Sequence, residues 1–81
     1  MSTLHLLSRH GDIKVEWDHK AAEAGDLDAQ AAIAEAERIL EEARAQGGTA
    51  FLVREGQPAQ VIDRFDRTAE KIVVVPRIVG G

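Results

Sequence analysis

The chain has 81 residues, with 14 Asp and Glu against 10 Lys and Arg, a net charge of −4, 44% apolar residues and no cysteine. This length supports one domain with one thin core, and it leaves little room for a deep cleft with its own catalytic set. The acidic balance, with basic residues scattered along the chain, argues against a nucleic-acid partner, and the missing thiols exclude disulfides, a thiolate nucleophile and sulfur ligands for zinc.

Met1-Ser2-Thr3 lacks the basic and apolar regions of a secretory signal, and the longest pure aliphatic run, residues 72–75, is too short to span a bilayer. The expectation is a cytoplasmic protein without a membrane partner. Residues 4–7 and 13–17 have strand character, the second alternating Ile13, Val15 and Trp17 with Lys14, Glu16 and Asp18. Between them, Arg9-His10-Gly11-Asp12 supplies glycine and aspartate for a reversal, so the chain opens on a β-hairpin.

After a polar stretch at 19–25, Asp26 and Asp28 are each suited to cap a helix running from about 28 to 46. Ala29, Ile33, Ala36, Leu40 and Ala43 recur at three- and four-residue spacing, with Ala32 and Ile39 widening the stripe. Gly47-Gly48 ends it, because glycine readily takes the left-handed conformation that follows a helix. Residues 49–54 and 60–63 then read as a second hairpin interrupted by Glu55-Gly56-Gln57-Pro58. The β-branched run 72–75 predicts a central strand buried on both faces, ended by Pro76, which has no N–H to donate.

The order is ββαβββ, an α+β chain. The helix needs an apolar sheet face, which Leu6, Val15, Trp17, Phe51, Val53, Ile62, Val73 and Val75, or their immediate neighbours, are placed to supply. Residues 1–76 form the expected domain, and residues 77–81, after a proline and ending on Gly80-Gly81, are expected to project as a flexible tail.

This order, closing on Ile72-Val-Val-Val-Pro76-Arg-Ile-Val-Gly80-Gly81, resembles the ubiquitin-like sulfur carriers. The nearest pattern is the small subunit of molybdopterin synthase, with the thiamine-pathway sulfur carrier and ubiquitin more distant. The order matches over nearly the whole chain, while the specific motif is confined to the last ten residues. Two departures stand out. Arg77 occupies the place of the family's second proline, and the turn before the last strand reads Asp66-Arg67-Thr68-Ala69-Glu70 where an Asp-Gly-Asp-Glu-like stretch is common.

The resemblance implies a β-grasp with a mixed sheet and one helix packed across it, and a chain that is not itself an enzyme and has no catalytic residue of its own. A partner adenylating enzyme, using ATP and magnesium, would activate the Gly81 carboxylate. Gly80 would give it a slender approach, and Pro76, Arg77, Ile78 and Val79 would contact the partner. No cofactor or metal would be bound by this chain. A sulfur-accepting synthase would then follow, or else a conjugating enzyme and a JAMM-type protease, with Lys14, Lys20 and Lys71 among the lysines able to accept chains. The competing class is a non-covalent interaction module, such as an accessory or phage protein, in which the two glycines are incidental.

Two further patterns have ordinary readings. Leu6-Leu7-Ser8-Arg9-His10-Gly11-Asp12 resembles the Arg-His-Gly signature of histidine phosphatases, but those enzymes need a second histidine and a much larger α/β domain, no histidine follows His19 here, and His10 is expected in a solvent-facing turn. His5, His10 and His19 match no compact metal-ligand spacing. Trp17, in a chain with 4% aromatics, is expected inside or at a packed edge.

Overall fold

The computed structural model describes residues 1–77. Its elements are β1 (Ser2–Leu6), β2 (Ile13–Trp17), α1 (His19–Glu23), α2 (Leu27–Ala45), β3 (Thr49–Val53), β4 (Gln60–Ile62) and β5 (Lys71–Val75). The order is therefore ββααβββ, which corrects the expected ββαβββ by one short helix. That helix forms because Asp18 accepts hydrogen bonds from the backbone N–H groups of Lys20 and Ala21, at 3.0 and 3.2 Å. It ends at Gly25, which has φ of +100°. Its five residues bury Ala22 and are too few to show a helical repeat in the sequence.

The strands make one mixed sheet in the order β2-β1-β5-β3-β4. β1 pairs with β2 antiparallel and with β5 parallel, so the first hairpin and the 72–75 strand lie side by side as expected. β3 joins β4 and β5 antiparallel. Two further bonds extend the central parallel pair, Thr3 N–H to the Glu70 carbonyl at 3.1 Å and Leu7 N–H to the Val74 carbonyl at 3.0 Å.

Helix α2 packs across one face. Asp26 caps it by accepting from the Ala29 N–H at 3.0 Å, while Asp28 lies inside the first turn. At its other end Gly47 N–H bonds the Arg44 carbonyl at 2.9 Å and Gly48 N–H bonds the Ala43 carbonyl at 2.8 Å, the paired closure of a Schellman motif with Gly47 at φ +90°. Gly48 has a further constraint, because a Cβ there would come within 2.9 Å of the Ala43 and Val75 carbonyl oxygens.

The core between helix and sheet is Leu4, Trp17, Ala36, Ile39, Leu40, Ala50, Leu52, Ala69, Ile72 and Val74. On β3 and β5 the covered residues are thus the neighbours of Phe51, Val53, Val73 and Val75, which are half-buried on the opposite face. β5 is central but not buried on both sides: Ile72 and Val74 are fully enclosed, and Val73 and Val75 are not. A continuous β-branched run has no alternation from which this choice could be read.

Candidate functional site

The expected working end begins where β5 stops. Pro76 and Arg77 are exposed, while Ile78, Val79, Gly80 and Gly81 lie outside the described residues. Because β5 sits in the middle of the sheet, beside β1, Pro76 and Arg77 follow it at the centre of the sheet's rim. Arg77 lies over the end of α2, since a Cβ on Gly47 would meet its Cδ at 2.9 Å. Gly47 and Gly48 are therefore glycines twice over, once for the helix closure and once for the backbone and side chain that cross them.

Two open depressions meet at Leu6 and Pro76. One, of about 220 Å³, lies between the helix and β1/β2 and is lined by Leu6, Ile13, Ile39, Ala43 and Pro76, with Arg38, Glu42 and Gln46 at its rim. The other, of about 360 Å³, runs under the loop between β1 and β2 and carries Leu7, Ser8, Arg9, His10 and Arg77. The first is apolar with a balanced rim. The second is cationic, in a chain whose net charge is −4.

The rim charges are held in place locally. Arg38 donates to Glu35 at 2.6 and 3.2 Å and to Glu42 at 2.8 Å. Its hydrogen bond holds the Glu35 carboxyl below the usual glutamate range and raises the Arg38 guanidinium above its own. All three side chains are exposed, so the network adds little stability. In the loop, Asp12 organises the reversal: Oδ1 accepts from the Ser8 N–H at 3.2 Å and Oδ2 lies 3.1 Å from His5 Nε2. His10 is exposed in the turn, and its backbone N–H donates to Ser8 Oγ at 3.2 Å. His5, on a strand, and His19, at the start of α1, stand apart from it, and among the described residues no group of three metal-ligating side chains converges.

The face of the sheet away from α2 carries a second feature. Register places Phe51 opposite both Val73 and Val61, Thr49 opposite Val75 and Val53 opposite Lys71, so these side chains share one surface. Val61 is 64% exposed, and none of Phe51, Val53, Val73 and Val75 belongs to the core under the helix. The result is an apolar strip on an uncovered face.

Of the residues expected at the partner contact, Pro76 and Arg77 are the two among the described residues, and they follow β5 side by side. Leu6, Ile13, Ile39 and Ala43 line the depression beside Pro76, and the sequence pattern marked them only as strand or helix stripe. They are distant in sequence, and no local signal joins them; the one hint was Ile13, the apolar residue closest to the turn and hence to the end of the sheet. Among the described residues no helix is long and apolar enough to cross a membrane. Comparison with known proteins finds no family model, no curated protein and no solved structure that matches the chain.

Proposed function

We propose that this chain is a ubiquitin-like β-grasp carrier or modifier whose Gly81 carboxylate is activated by a partner enzyme. The observation that carries the reading is the parallel pairing of β1 with β5 at the centre of a mixed sheet crossed by one long helix, with the diglycine segment following directly from β5. Two residues without Cβ can follow a channel too narrow for side chains. In the activation step a carboxylate oxygen attacks the α-phosphorus of ATP, the bond to the β-phosphate bridge breaks, and pyrophosphate leaves with magnesium. A sulfur nucleophile or an amine then attacks the acyl carbon and AMP departs, giving a thiocarboxylate or an amide. The chain contributes position and a carboxylate, and the partner contributes the chemistry.

The test is pyrophosphate exchange with a ubiquitin-activating-type adenylating enzyme. Removing Gly80 and Gly81 should abolish exchange and leave the thermal midpoint unchanged, Gly81→Ala should give intermediate exchange, and residues added beyond Gly81 should block it. A truncated chain that retains every activity of the full chain would sink the proposal. The second reading, a non-covalent interaction module, is favoured in that case by the apolar strip of Phe51, Val53, Val61, Val73 and Val75, a surface a partner can cover without using the tail.

A further inference from the structure

The sheet has two edges of unequal length. β4 has three residues, whereas β2 pairs all five of its residues with β1, and among the described residues no strand lies on its other side. Such a strand turns a row of backbone N–H and C=O groups outward, a template on which another strand can pair. Edges are commonly blunted by proline, by a bulge or by charged side chains, and β2 has neither proline nor a break in its register. Its only charges are Lys14 and Glu16, which are opposite in sign, 60% and 50% exposed, and 3.4 Å apart.

The geometry of antiparallel pairing decides how these charges meet a second copy of the strand. Residues directly opposite one another in such a pair lie on the same face of the sheet. For two identical strands related by a two-fold axis, the register that pairs all five residues is centred on Val15. It sets Lys14 opposite Glu16 of the second copy, and Glu16 opposite its Lys14, on the face away from α2. Registers centred on Lys14 or on Glu16 lose pairs and set two lysines or two glutamates against each other, which destabilises a sheet. The longest register is thus the one that the charges select.

The same register gives Ile13 a neighbour. Ile13 is 47% exposed, and it comes opposite Trp17 of the second copy on the helix side. The carboxylates that flank the strand are engaged within their own chain, Asp12 with His5 and the Ser8 N–H, Asp18 with the N–H groups of Lys20 and Ala21.

We propose that the β2 edge is a self-association surface, where two copies of this chain pair antiparallel about Val15 into one continuous sheet. A seam of one short strand falls below the roughly 1,200–2,000 Å² of stable interfaces, so the dimer is weak and forms at high concentration. It concerns the folded domain and does not depend on activation of Gly81.

The experiment is sedimentation equilibrium on the full chain alone, up to millimolar concentration, with hydrogen exchange of the β2 amides followed over the same range. The wild type should enter a monomer–dimer equilibrium, with exchange in β2 slowing as dimer forms. Lys14→Glu and Glu16→Lys should each weaken association roughly tenfold, because each replaces two opposite-charge contacts by two like-charge ones. Glu16→Lys also lowers the net negative charge, so weaker association in that variant separates the register from bulk repulsion. Mixing the two single variants should restore association as a heterodimer, and the double variant Lys14→Glu with Glu16→Lys should restore the homodimer. Both side chains are exposed, so the thermal midpoints of the variants at low concentration should match the wild type. A wild type that stays monomeric at millimolar concentration would overturn the proposal. So would single variants that associate as tightly as the wild type, which would assign association to another surface such as the strip around Phe51, or a mixture of the two that fails to regain dimer. Because no activating enzyme is used, the outcome stands apart from that of pyrophosphate exchange.

Discussion

Strand β2 has two ends, and they are built differently. At one, Trp17 is 2% exposed, its ring centroid lies 5.5 Å from that of Phe65, and its indole N–H donates to the Arg67 carbonyl at 2.9 Å. That carbonyl is presented by a turn in which Asp66 accepts from both the Thr68 hydroxyl, at 2.7 Å, and the Thr68 N–H, at 2.9 Å, while Ala69 packs into the core. At the other end Ile13 is 47% exposed over an open groove. The domain is sealed beside the turn at residues 66–69 and left open beside Pro76. A small domain with a single core has few large side chains to place, and here the only tryptophan secures the end farther from the proposed working segment.

Substitutions along β2 test this contrast most directly. Trp17→Ala removes a buried ring and its hydrogen bond, and should lower unfolding free energy by about 3–5 kcal/mol in denaturant titration. Ile13→Ala should cost about 1 kcal/mol or less, since roughly half of its surface already meets water. Equal losses at the two positions would erase the distinction between a sealed and an open end.

At the open end the tight contact is made by backbone. Gly48→Ala would drive a methyl against the Ala43 and Val75 carbonyl oxygens, each 2.9 Å from the new atom, and should cost about 1–3 kcal/mol by the same titration. An unchanged midpoint would mean that the helix end and β5 can separate freely there, and the groove would lose its fixed wall.

The smallest expected effect is that of acid. Asp18, next to Trp17, is held below the ordinary aspartate range first by the hydrogen bond from the Ala21 N–H, and Asp66 is held below it first by the Thr68 hydroxyl. Both carboxylates are thus bound more tightly when ionised in the folded state. A lowered folded pKa contributes stability that is fully present above the unfolded value, about 3.9, and lost as pH falls through the folded one. Tryptophan fluorescence, which reports the sealed end alone, should therefore show stability falling below about pH 4. Asp66→Asn, whose amide oxygen still accepts from Thr68, should make that decline shallower. An identical acid decline in the variant would remove Asp66 from the latch.

Much of this architecture is legible in the residues, for local reasons. Helix α2 is written in the spacing of Ile33, Ala36, Leu40 and Ala43 and in the Asp26 cap; its stop is written in Gly47-Gly48. Strand β2 shows which of its sides faces the helix through the alternation of Ile13, Val15 and Trp17. Burial rises along that side from exposed Ile13 through half-buried Val15 to buried Trp17, so Ile13 corrects the expectation of a uniformly dry face. Helix α1 escapes notice, being shorter than the window over which a 3.6-residue period emerges, though Asp18 and Gly25 mark its two ends. The faces of β3 and β5 are hidden for a different reason. Both strands are apolar on both sides, so which side the helix covers depends on the register with β1, where Leu4 meets Ile72.

What the sequence determined by itself is everything set within a few residues: the helix and its caps, the strands, the turn at Gly11 and the diglycine that directs attention to the end of the chain. What only the tertiary structure decided is the company those elements keep. The parallel pairing of β1 with β5, the burial of Trp17 under a turn fifty residues away and the meeting of Leu6, Ile13, Ile39, Ala43 and Pro76 at one groove all join distant segments. The physical reason is that propensity, periodicity and capping act through covalent neighbours, whereas a groove is the space left between elements, and its shape is fixed only when the whole sheet has chosen its order and its register.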